Sequence, residues 1–248
     1  FFSTPTPPTP ILSGLVGSEM CIRDRTNTEP CPYLTNRDEK KIFLIMDDIN
    51  KSNEYEHLIK SGFRRSHNIL YNQVCADCNL CKSIRINVNN FKSSKSNKRV
   101  LNKNKNLFTK KLSNNPSKEQ FALFKKYLEF KHNDSEMNEM DFQDYCKMFV
   151  SKGINTKVYE YFYKGELVGC VISDFLEGSI SMVYSFYSEL FLKNSFGKYI
   201  ILDHFRLAKD FDMDYVYLGY WVEGSSKMEY KNSFNSSEVL IDNKWTII

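Results

Sequence analysis

The spacing of hydrophobic and polar residues changes along this chain, from a helical period in the middle to a strand period in the last third. The clearest helical segment is 117–130, where Ser117 and Gln120 occupy the two positions of a capping box. Its apolar stripe consists of Phe121, Leu123, Phe124, Tyr127 and Leu128. A second helix is predicted at 141–150, so the middle of the chain is expected to be helical.

From residue 157 onwards apolar and polar residues alternate, which is typical of strands. The pattern predicts three antiparallel strands at 157–162, 166–172 and 179–187, with turns at Lys164-Gly165 and near Gly178. The elements predicted after them are a helix at 199–211, a strand at 215–218, a helix at 227–234 and a strand at 238–245. This order is that of the acyltransferase fold used by many acetyltransferases.

The part before residue 100 mixes short elements and has little apolar core of its own. Its predicted elements are an apolar segment at 42–49, a helix at 55–61, a turn at 62–66 and a strand at 83–88. We therefore predict an α+β protein, with a small N-terminal cysteine-containing domain at 26–99 and a C-terminal acetyltransferase-like (GNAT) α/β domain at 100–248.

Residues 1–25 are predicted to lie outside the fold, as a non-native or disordered leader. The stretch 15–25 reads like the translation of a transposase adapter used to prepare sequencing libraries. The Pro/Thr-rich run before it has neither the basic start nor the continuous apolar core of a secretory signal.

The composition of the chain narrows the class of protein. The 248 residues are 42% hydrophobic and 26% charged, which is ordinary for a globular protein. No apolar run approaches the roughly 20 residues of a membrane helix, so we expect a cytoplasmic protein without membrane contact. The formal charge of +4 is modest, but the tract 92–111 is strongly basic and is expected to be either a solvated loop or a nucleic-acid contact. Its charged residues are Lys92, Lys95, Lys98, Arg99, Lys103, Lys105, Lys110 and Lys111.

Three cysteines, Cys75, Cys78 and Cys81, follow one another at two-residue intervals. Thiolates at this spacing suit zinc or an iron–sulfur cluster, and Cys31 could supply a fourth sulfur from earlier in the chain. Without an export signal, disulfides are not expected, so the alternative is ordinary reduced thiols. We predict a metal or cluster at these four cysteines and no organic cofactor.

The stretch 215–234 combines a strand, the exit Gly219-Tyr220-Trp221, and two lysines four residues apart, Lys227 and Lys231. On a helix both ammonium groups would face the same way and suit an anionic ligand. The alternative is a packed aromatic strand followed by a solvated helix face.

A junction between the third predicted strand and the next helix contains Ser195, Gly197 and Lys198. Backbone N–H groups at the start of a helix, together with its dipole, can hold phosphate. Glycine at such a place is weak support when taken alone, because glycine also begins and ends helices for steric reasons.

Ordered motifs run along nearly the whole chain after residue 25. They are Cys31-Pro-Tyr33, Gly62-Phe-Arg-Arg-Ser66, Tyr71 with the three cysteines and Arg85, His132 with Met137, the strand at 181–187, Ser195-Phe-Gly-Lys-Tyr199 and the run 217–234. In these motifs the chain resembles the arginyl-tRNA–protein transferase family, and particularly its bacterial aspartate/glutamate leucyltransferase branch.

The resemblance implies transfer of leucine, with arginine as the alternative, from charged tRNA to the N-terminal amine of proteins that begin with Asp or Glu, which marks them for degradation. The partners implied are aminoacyl-tRNA and those acceptor proteins. Because the ester is already activated, the site must orient a neutral amine, stabilise an oxyanion and protonate the departing ribose oxygen.

Those requirements select candidate residues. Tyr184 and Tyr187 could donate hydrogen bonds to the ester, and the alternative is that both are core rings. Asp174 could attract the incoming ammonium, or simply end its strand. Arg64 and Arg65 could grip the acceptor's acidic side chain or tRNA phosphate, or form a surface pair. The residues expected to bind the tRNA end or the substrate nearby are Ser195, Gly197, Lys198, Tyr220, Lys227 and Lys231.

Two other functions stay open on sequence alone. One is an acetyl-CoA-dependent N-acetyltransferase on the same fold, against which the basic tract and the cysteines argue. The other is a non-catalytic, metal-stapled RNA-binding protein, against which the constellation at 217–234 argues.

Overall fold

The computed structural model describes residues 24–46, 52–131, 136–149 and 153–248. The predicted leader up to residue 23, the end of the apolar segment at 42–49, and His132 lie outside these residues.

The N-terminal part forms a small antiparallel sheet beside a two-stranded ribbon. Its elements are β1 (Asp24–Arg25), β2 (Glu29–Pro30), β3 (Asp38–Glu39), β4 (Lys41–Ile45), α1 (Ser52–Lys60), β5 (Arg64–Ser66) and β6 (Ile69–Gln73). The sheet order is β1-β4-β6-β5, and β2 pairs with β3. Two expectations are corrected: Asp24 and Arg25, assigned to the leader, pair with Phe43 and Ile42, and the predicted turn at 62–66 contains strand β5.

An eight-stranded mixed sheet organises the rest of the molecule. Its strands are β7 (Cys81–Asn87), β8 (Thr109–Ser113), β9 (Asn155–Tyr163), β10 (Glu166–Leu176), β11 (Ser179–Tyr187), β12 (Tyr215–Val222), β13 (Ser237–Ile241) and β14 (Lys244–Ile247). The order is β14-β13-β7-β12-β11-β10-β9-β8. Strand β7 comes from the N-terminal part of the chain and lies inside this sheet, so the two parts share one sheet.

Helices cover both faces of the large sheet. They are α2 (Lys95–Asn104), α3 (Lys118–Lys131), α4 (Phe142–Lys147) and α5 (Phe196–Asp210). Alternate residues of β10 enter different cores, because successive strand side chains point to opposite faces. Val171 packs with α5, whereas Cys170 and Ile172 pack with α3 and α4.

The sequence predicted the start of α3 correctly. The Ser117 hydroxyl accepts from the Gln120 amide at 3.1 Å, and the Gln120 side chain accepts from the Ser117 amide at 3.0 Å. Together these bonds form the predicted capping box.

The predicted fold class is confirmed by the topology. Strands β9, β10 and β11 are antiparallel, α5 follows, and β12 returns parallel to β11, which is the GNAT-like order. Three local expectations are corrected. The tract 92–111 contains α2 and β8 and is not a loop; the helix expected at 227–234 is a short 3-10 turn, Glu229–Ser233; and the strand expected at 238–245 is the hairpin of β13 and β14. None of the described helices combines the length and apolar character needed to cross a bilayer.

Candidate active site

A split in the large sheet creates the candidate site. Strands β11 and β12 pair in parallel only from Ser179 to Ser181 on one strand and from Tyr215 to Tyr217 on the other. Both strands continue well beyond these pairs, so their last halves separate. The first turn of α5 follows β11 in the chain and lies beside the split.

Four tyrosine rings gather along the β11 side of this split. Tyr127 of α3 lies with its ring centroid 5.3 Å from that of Tyr187 and 6.5 Å from that of Tyr184. Tyr230, in the loop after β12, lies at the edge of this group, because its side chain is 46% exposed while Tyr187 is near enough to act on its phenol. Partial burial first and then Tyr187 raise the pKa of that phenol to about 12. The group therefore brings phenols from α3, β11 and the loop after β12 to one place.

Burial keeps these phenols neutral. It raises the pKa of Tyr184 to about 12 and also raises the pKa of Tyr187. For Tyr127 the pKa is raised by burial and then by Tyr187 and Tyr184. At neutral pH the group consists of O–H donors and contains no phenolate base, which suits stabilisation of a developing oxyanion.

Gly197 is required by the position of Tyr187. A Cβ at residue 197 would lie 2.8 Å from the Tyr187 hydroxyl oxygen and 3.0 Å from two of its ring carbons. Such contacts are too short for real atoms, so only glycine lets the Tyr187 ring lie against the first turn of α5. The structure thus places Gly197 directly against Tyr187, and the Tyr127 ring links Tyr187 to Tyr184; the catalytic roles of the two tyrosines stay predictions.

The start of α5 lacks a side-chain cap. Ser195 is the N-cap residue, has φ 52° in the left-handed region, and makes no capping hydrogen bond with its side chain. The positive end of the helix dipole and first-turn N–H groups that Ser195 does not cap lie at this junction. Lys198 is half-buried, with its ammonium 5.6 Å from the centroid of the Phe234 ring.

Arg65 and Asp174 are paired with each other and are not free for substrate. Arg65 Nε lies 2.7 Å from Asp174 Oδ2 and Nη2 lies 2.9 Å from Oδ1, with both side chains fully buried. The same carboxylate accepts from the Tyr55 hydroxyl at 2.5 Å and the Thr156 hydroxyl at 2.6 Å. Both expectations are corrected: Asp174 does not receive the incoming ammonium, and Arg65 does not grip substrate.

Arg64 has a different environment from its neighbour. Its side chain is buried, but Nε and Nη2 have no hydrogen-bond partner among the described residues. The guanidinium carbon lies 5.7 Å from the centroid of the Tyr220 ring. The alternative of a surface pair of arginines is therefore wrong, because both residues are interior.

Lys227 and Lys231 do not face the same way, in contrast to the prediction. Lys227 is exposed, whereas Lys231 is buried with its ammonium 2.6 Å from the Tyr220 carbonyl oxygen. Tyr220 itself is wedged against the N-terminal part, where its hydroxyl lies 3.1 Å from the Gly62 carbonyl and 3.0 Å from Asn72 Oδ1. The Tyr220 hydroxyl is therefore occupied by hydrogen bonds within the protein.

The four cysteines lie near one another but do not form a metal site in the described structure. Burial first and then Cys31, Cys75 and Cys78 raise the pKa of the Cys81 thiol to about 12. Four thiols are chemically suited to zinc or an iron–sulfur cluster. Within the described ranges, however, no three His, Cys, Asp or Glu side chains are arranged to hold a metal ion.

Sequence reasoning missed two members of the site, Tyr127 and Tyr230. Tyr127 was taken as part of the helical apolar stripe, which is correct but incomplete, because its ring also reaches Tyr187. Tyr230 lies between Lys227 and Lys231 in the stretch 215–234. The high content of aromatic residues in that stretch was the signal that could have identified it.

Two family models match this chain. The model described as arginine-tRNA-protein transferase, N terminus, matches residues 29–99, and the one described as arginine-tRNA-protein transferase, C terminus, matches residues 119–241.

Full-length relatives are similar over most of their length. The chain is 40% identical over 223 residues to the aspartate/glutamate leucyltransferase of Ruegeria sp. (strain TM1040), covering 89% of this chain and 81% of that protein. It is 37% identical over 224 residues to that of Hyphomonas neptunium, covering 89% of each.

Solved structures are more distant. FemX superposes with a TM-score of 0.47 at 9% identity, covering 75% of this chain and 65% of that one. The L-PGS of Bacillus licheniformis gives a TM-score of 0.46 at 17% identity, covering 59% and 48%.

Proposed function

The chain belongs to the arginine-tRNA-protein transferase family, and on that premise we propose that it transfers leucine from leucyl-tRNA to the N-terminal amine of proteins beginning with Asp or Glu. It is thus an aminoacyltransferase, and its relatives carry the name aspartate/glutamate leucyltransferase. Tagging of this kind would place its acceptors in an N-degron degradation pathway. The cytoplasm, where charged tRNA is available, is the location we propose.

The reaction needs no covalent intermediate on the protein. The neutral amine attacks the carbonyl carbon of the aminoacyl ester, a C–N bond forms, and the C–O bond to the tRNA ribose breaks. The proton lost by the amine ends on the ribose oxygen. An α-amino group has a pKa of about 7.7 to 8.0, so a useful fraction is already neutral near pH 7 and a strong base is not required.

The observation that carries the proposal is the gathering of neutral phenols beside the uncapped first turn of α5. Tyr184 and Tyr187 are O–H donors whose pKa values are raised by burial. Preorganised donors of this kind stabilise the oxyanion that forms when an amine adds to an ester. We propose that Tyr187, held against Gly197, is the principal donor and that Tyr184 supports it.

The α5 junction is the place we propose for the tRNA end. The helix start offers N–H groups and a positive dipole to a terminal phosphate. Lys198 lies in the same turn and exposed Lys227 lies in the loop beyond β12, so both can add positive charge.

We also propose that Cys31, Cys75, Cys78 and Cys81 bind one metal centre. The support is the donor type and the mutual effect of the four thiols at Cys81. Such a centre would tie the loop at Cys31 to the segment before β7 and act on folding. No step of the transfer reaction depends on it.

The function is tested by transfer of radiolabelled leucine or arginine from charged tRNA to peptides that begin with Asp, Glu or Ala, using the full chain. We expect label from leucyl-tRNA on the acidic peptides alone, and a strong loss of transfer in Tyr187→Phe. Absence of label with folded protein, or acetyl transfer from acetyl-CoA to the same peptides, would overturn the proposal in favour of an acetyltransferase.

A further inference from the structure

Arg64 and Lys231 are two buried cations at the contact between the N-terminal part and the large sheet. Their exposed fractions are 5% and 7%. Neither forms an ion pair with a residue of the described ranges. Buried charges are normally paired, because an unpaired charge away from water is costly. This arrangement therefore needs an explanation.

One edge of the Arg64 guanidinium has no hydrogen-bond partner among the described residues. Nη1 donates to the carbonyl oxygens of Phe63 at 2.7 Å and Ile59 at 3.3 Å. Nε and Nη2, by contrast, are buried without a hydrogen-bond partner. These two atoms form the fork that binds both oxygens of a carboxylate in parallel. Aromatic rings of Tyr217 and Tyr220 lie 5.4 Å and 5.7 Å from the guanidinium carbon and fix its plane.

Lys231 approaches the same place from the other side of the contact. Its ammonium donates to the Tyr220 carbonyl at 2.6 Å, which uses one of its three protons. Burial first and then the charge of Arg64 lower the pKa of Lys231 to about 7. A Cβ at Gly219 would lie 3.7 Å from the ammonium nitrogen, so the backbone at the bend of β12 closes around it.

The carboxylate of Glu39, which acts electrostatically on the adjacent Tyr71, does not neutralise the two cations. Glu39 is instead held by Lys41, whose ammonium lies 2.6 Å from Oε1. The site is therefore built for an anion supplied from outside the described chain.

We propose that Arg64 and Lys231 form the pocket that binds the side-chain carboxylate of the acceptor's first residue, and that this pocket makes the enzyme select Asp and Glu. The inference rests on the proposed transfer function and names the residues that recognise the acceptor's first side chain. A single small, planar anion fits a place where both cations are almost fully covered. A tRNA phosphodiester is flanked by a sugar on each side and fits an open groove better.

The position of the pocket agrees with the direction of the reaction. Tyr230 precedes Lys231 in the chain, and the Lys231 ammonium lies 6.0 Å from the Tyr230 ring centroid. Tyr187 in turn acts on the Tyr230 phenol. The short 3-10 turn Glu229–Ser233, which contains both Tyr230 and Lys231, therefore connects the carboxylate pocket to the phenols. In an N-terminal Asp, three bonds separate the side-chain carboxylate carbon from the amine nitrogen. When the carboxylate is bound in the pocket, the amine therefore lies towards the phenols and the ester.

An entry route lies nearby. A cleft of about 270 Å³ is lined by the loop at 31–35 and by Ser225, Ser226 and Lys227. Tyr33 is among the residues that line it. The Tyr71 ring contacts that of Tyr220 with centroids 5.9 Å apart. Lys227, which lines the cleft, precedes Lys231 by four residues in the loop after β12, so the cleft opens beside the segment that carries Lys231.

The test compares peptides that differ only in the charge of the first side chain. Asp and Asn peptides are nearly isosteric, as are Glu and Gln peptides, and a neutral amide leaves both cations uncompensated. We expect wild-type kcat/KM to favour Asp over Asn by about 100-fold or more. Lys231→Met keeps the length of the side chain without its charge and should lower that ratio at least about 10-fold, through KM for the peptide.

Three controls accompany this variant. Lys209→Met removes an exposed lysine from the end of α5 and should change nothing. Arg64→Lys keeps the positive charge but loses the fork, and should lower the Asp-to-Asn ratio as well. Thermal unfolding of each variant confirms that it is folded, and KM for leucyl-tRNA should stay at the wild-type value.

Direct binding separates failure of this inference from failure of the proposed function. Calorimetric titration of the wild type with Asp and Asn peptides, without tRNA, should show binding of the Asp peptide alone, and Lys231→Met should weaken it. This result supports the pocket even if leucine is not the donor. An unchanged Asp-to-Asn ratio in folded Lys231→Met, or a variant that weakens tRNA binding and spares the peptide, would overturn it.

Discussion

Arg65 of β5 and Asp174 of β10 form a bidentate ion pair, with 2.7 Å between Nε and Oδ2 and 2.9 Å between Nη2 and Oδ1. Arg65 Nη1 also donates to the Met148 carbonyl at 2.9 Å. The pair joins the small N-terminal sheet to the large sheet, and both charges are removed from water. Arg64, the adjacent residue, has no carboxylate partner in the described part of the chain. Of two consecutive arginines, Arg65 therefore ties the two sheets together, and Arg64 is the one for which we propose a role in binding the acceptor.

Asp174→Asn is expected to destabilise the protein by about 3 to 5 kcal/mol, because it leaves the Arg65 charge buried and uncompensated. Urea unfolding followed by circular dichroism measures the change. The matched control is Arg206→Gln, which breaks a pair between Asp203 and an arginine that is 64% exposed and should cost less than about 1 kcal/mol. Equal stability of Asp174→Asn and wild type would contradict this view of the contact.

The sequence predicted the main strands and α3 because their periods and the Ser117 capping box are local signals. It predicted Arg64 and Arg65 only as a pair of cations. Arg65 pairs with Asp174, which is 109 positions away, and no local pattern distinguishes it from Arg64, which pairs with no carboxylate of the described residues. The α2 helix was missed for another reason. Its stretch is rich in Lys, Ser and Asn and contains only two apolar residues that pack on the core, Val100 and Leu101, while hydrogen bonds to the chain near Asn194 supply further contacts.

Gly197→Ala is expected to lower kcat by on the order of 10- to 100-fold while the protein stays folded. The added Cβ would lie 2.8 Å from the Tyr187 hydroxyl oxygen and force the ring away from the α5 junction. Alanine favours a helix more than glycine does, which offsets part of the cost of moving the ring, and thermal unfolding checks that the variant stays folded. Tyr187→Phe is the companion variant, which removes the hydroxyl without moving the ring. Full activity in either variant would show that Tyr187 does not serve the reaction.

Selectivity for Asp over Asn is expected to fall as pH rises through about 7. In the free protein, burial holds the pKa of Lys231 at about 7, so above that value carboxylate binding must first take up a proton. Among the groups that face Lys231, Arg64 stays charged, and the phenols of Tyr71, Tyr220 and Tyr230 stay neutral because burial raises their pKa values. The amine of the acceptor titrates too, but its effect cancels in the ratio of the two peptides.

Lys231 should also affect how the free energy of unfolding depends on pH. Its ordinary pKa of 10.5 applies to the unfolded chain, so between pH 7 and 10.5 the unfolded state binds more protons than the folded state. The unfolding free energy should therefore rise with pH across this window. Lys231→Met should have a smaller rise, and its Asp-to-Asn ratio should not vary with pH. A wild-type ratio that is constant from pH 6 to 9 would contradict the role of Lys231.

Cys81→Ser is expected to lower the zinc or iron content of anaerobically purified protein. Burial first and then all three other cysteines raise the pKa of the Cys81 thiol, so Cys81 is the first of the four to replace. Cys31→Ser, Cys75→Ser and Cys78→Ser should have the same effect, and Cys146→Ser, in α4, serves as the control. If metal content is unchanged in all four variants, the cysteines are ordinary reduced thiols.

Helix α2 is expected to contact tRNA through its exposed basic face. Lys103 Nζ donates to the Lys193 carbonyl at 2.8 Å, and Asn104 Nδ2 donates to the Asn194 carbonyl at 2.9 Å. These bonds hold the helix beside the chain that leads into Ser195. A hollow of about 270 Å³ between them is lined by Arg99, Lys103 and Lys193, among others. The charges of α2 therefore lie next to the proposed site for the tRNA end.

Replacing Lys95, Lys98 and Arg99 together by glutamine should weaken tRNA binding and reduce the slope of log affinity against log salt by roughly 2 to 3, since each lost phosphate contact releases about one counterion fewer. Lys103 is left in place because its bond to Lys193 anchors the helix. The matched control replaces three other exposed lysines, Lys118, Lys209 and Lys244, and removes the same total charge. If both triple variants flatten the slope equally, net charge and not this helix determines binding; if neither does, the basic face of α2 is merely solvated.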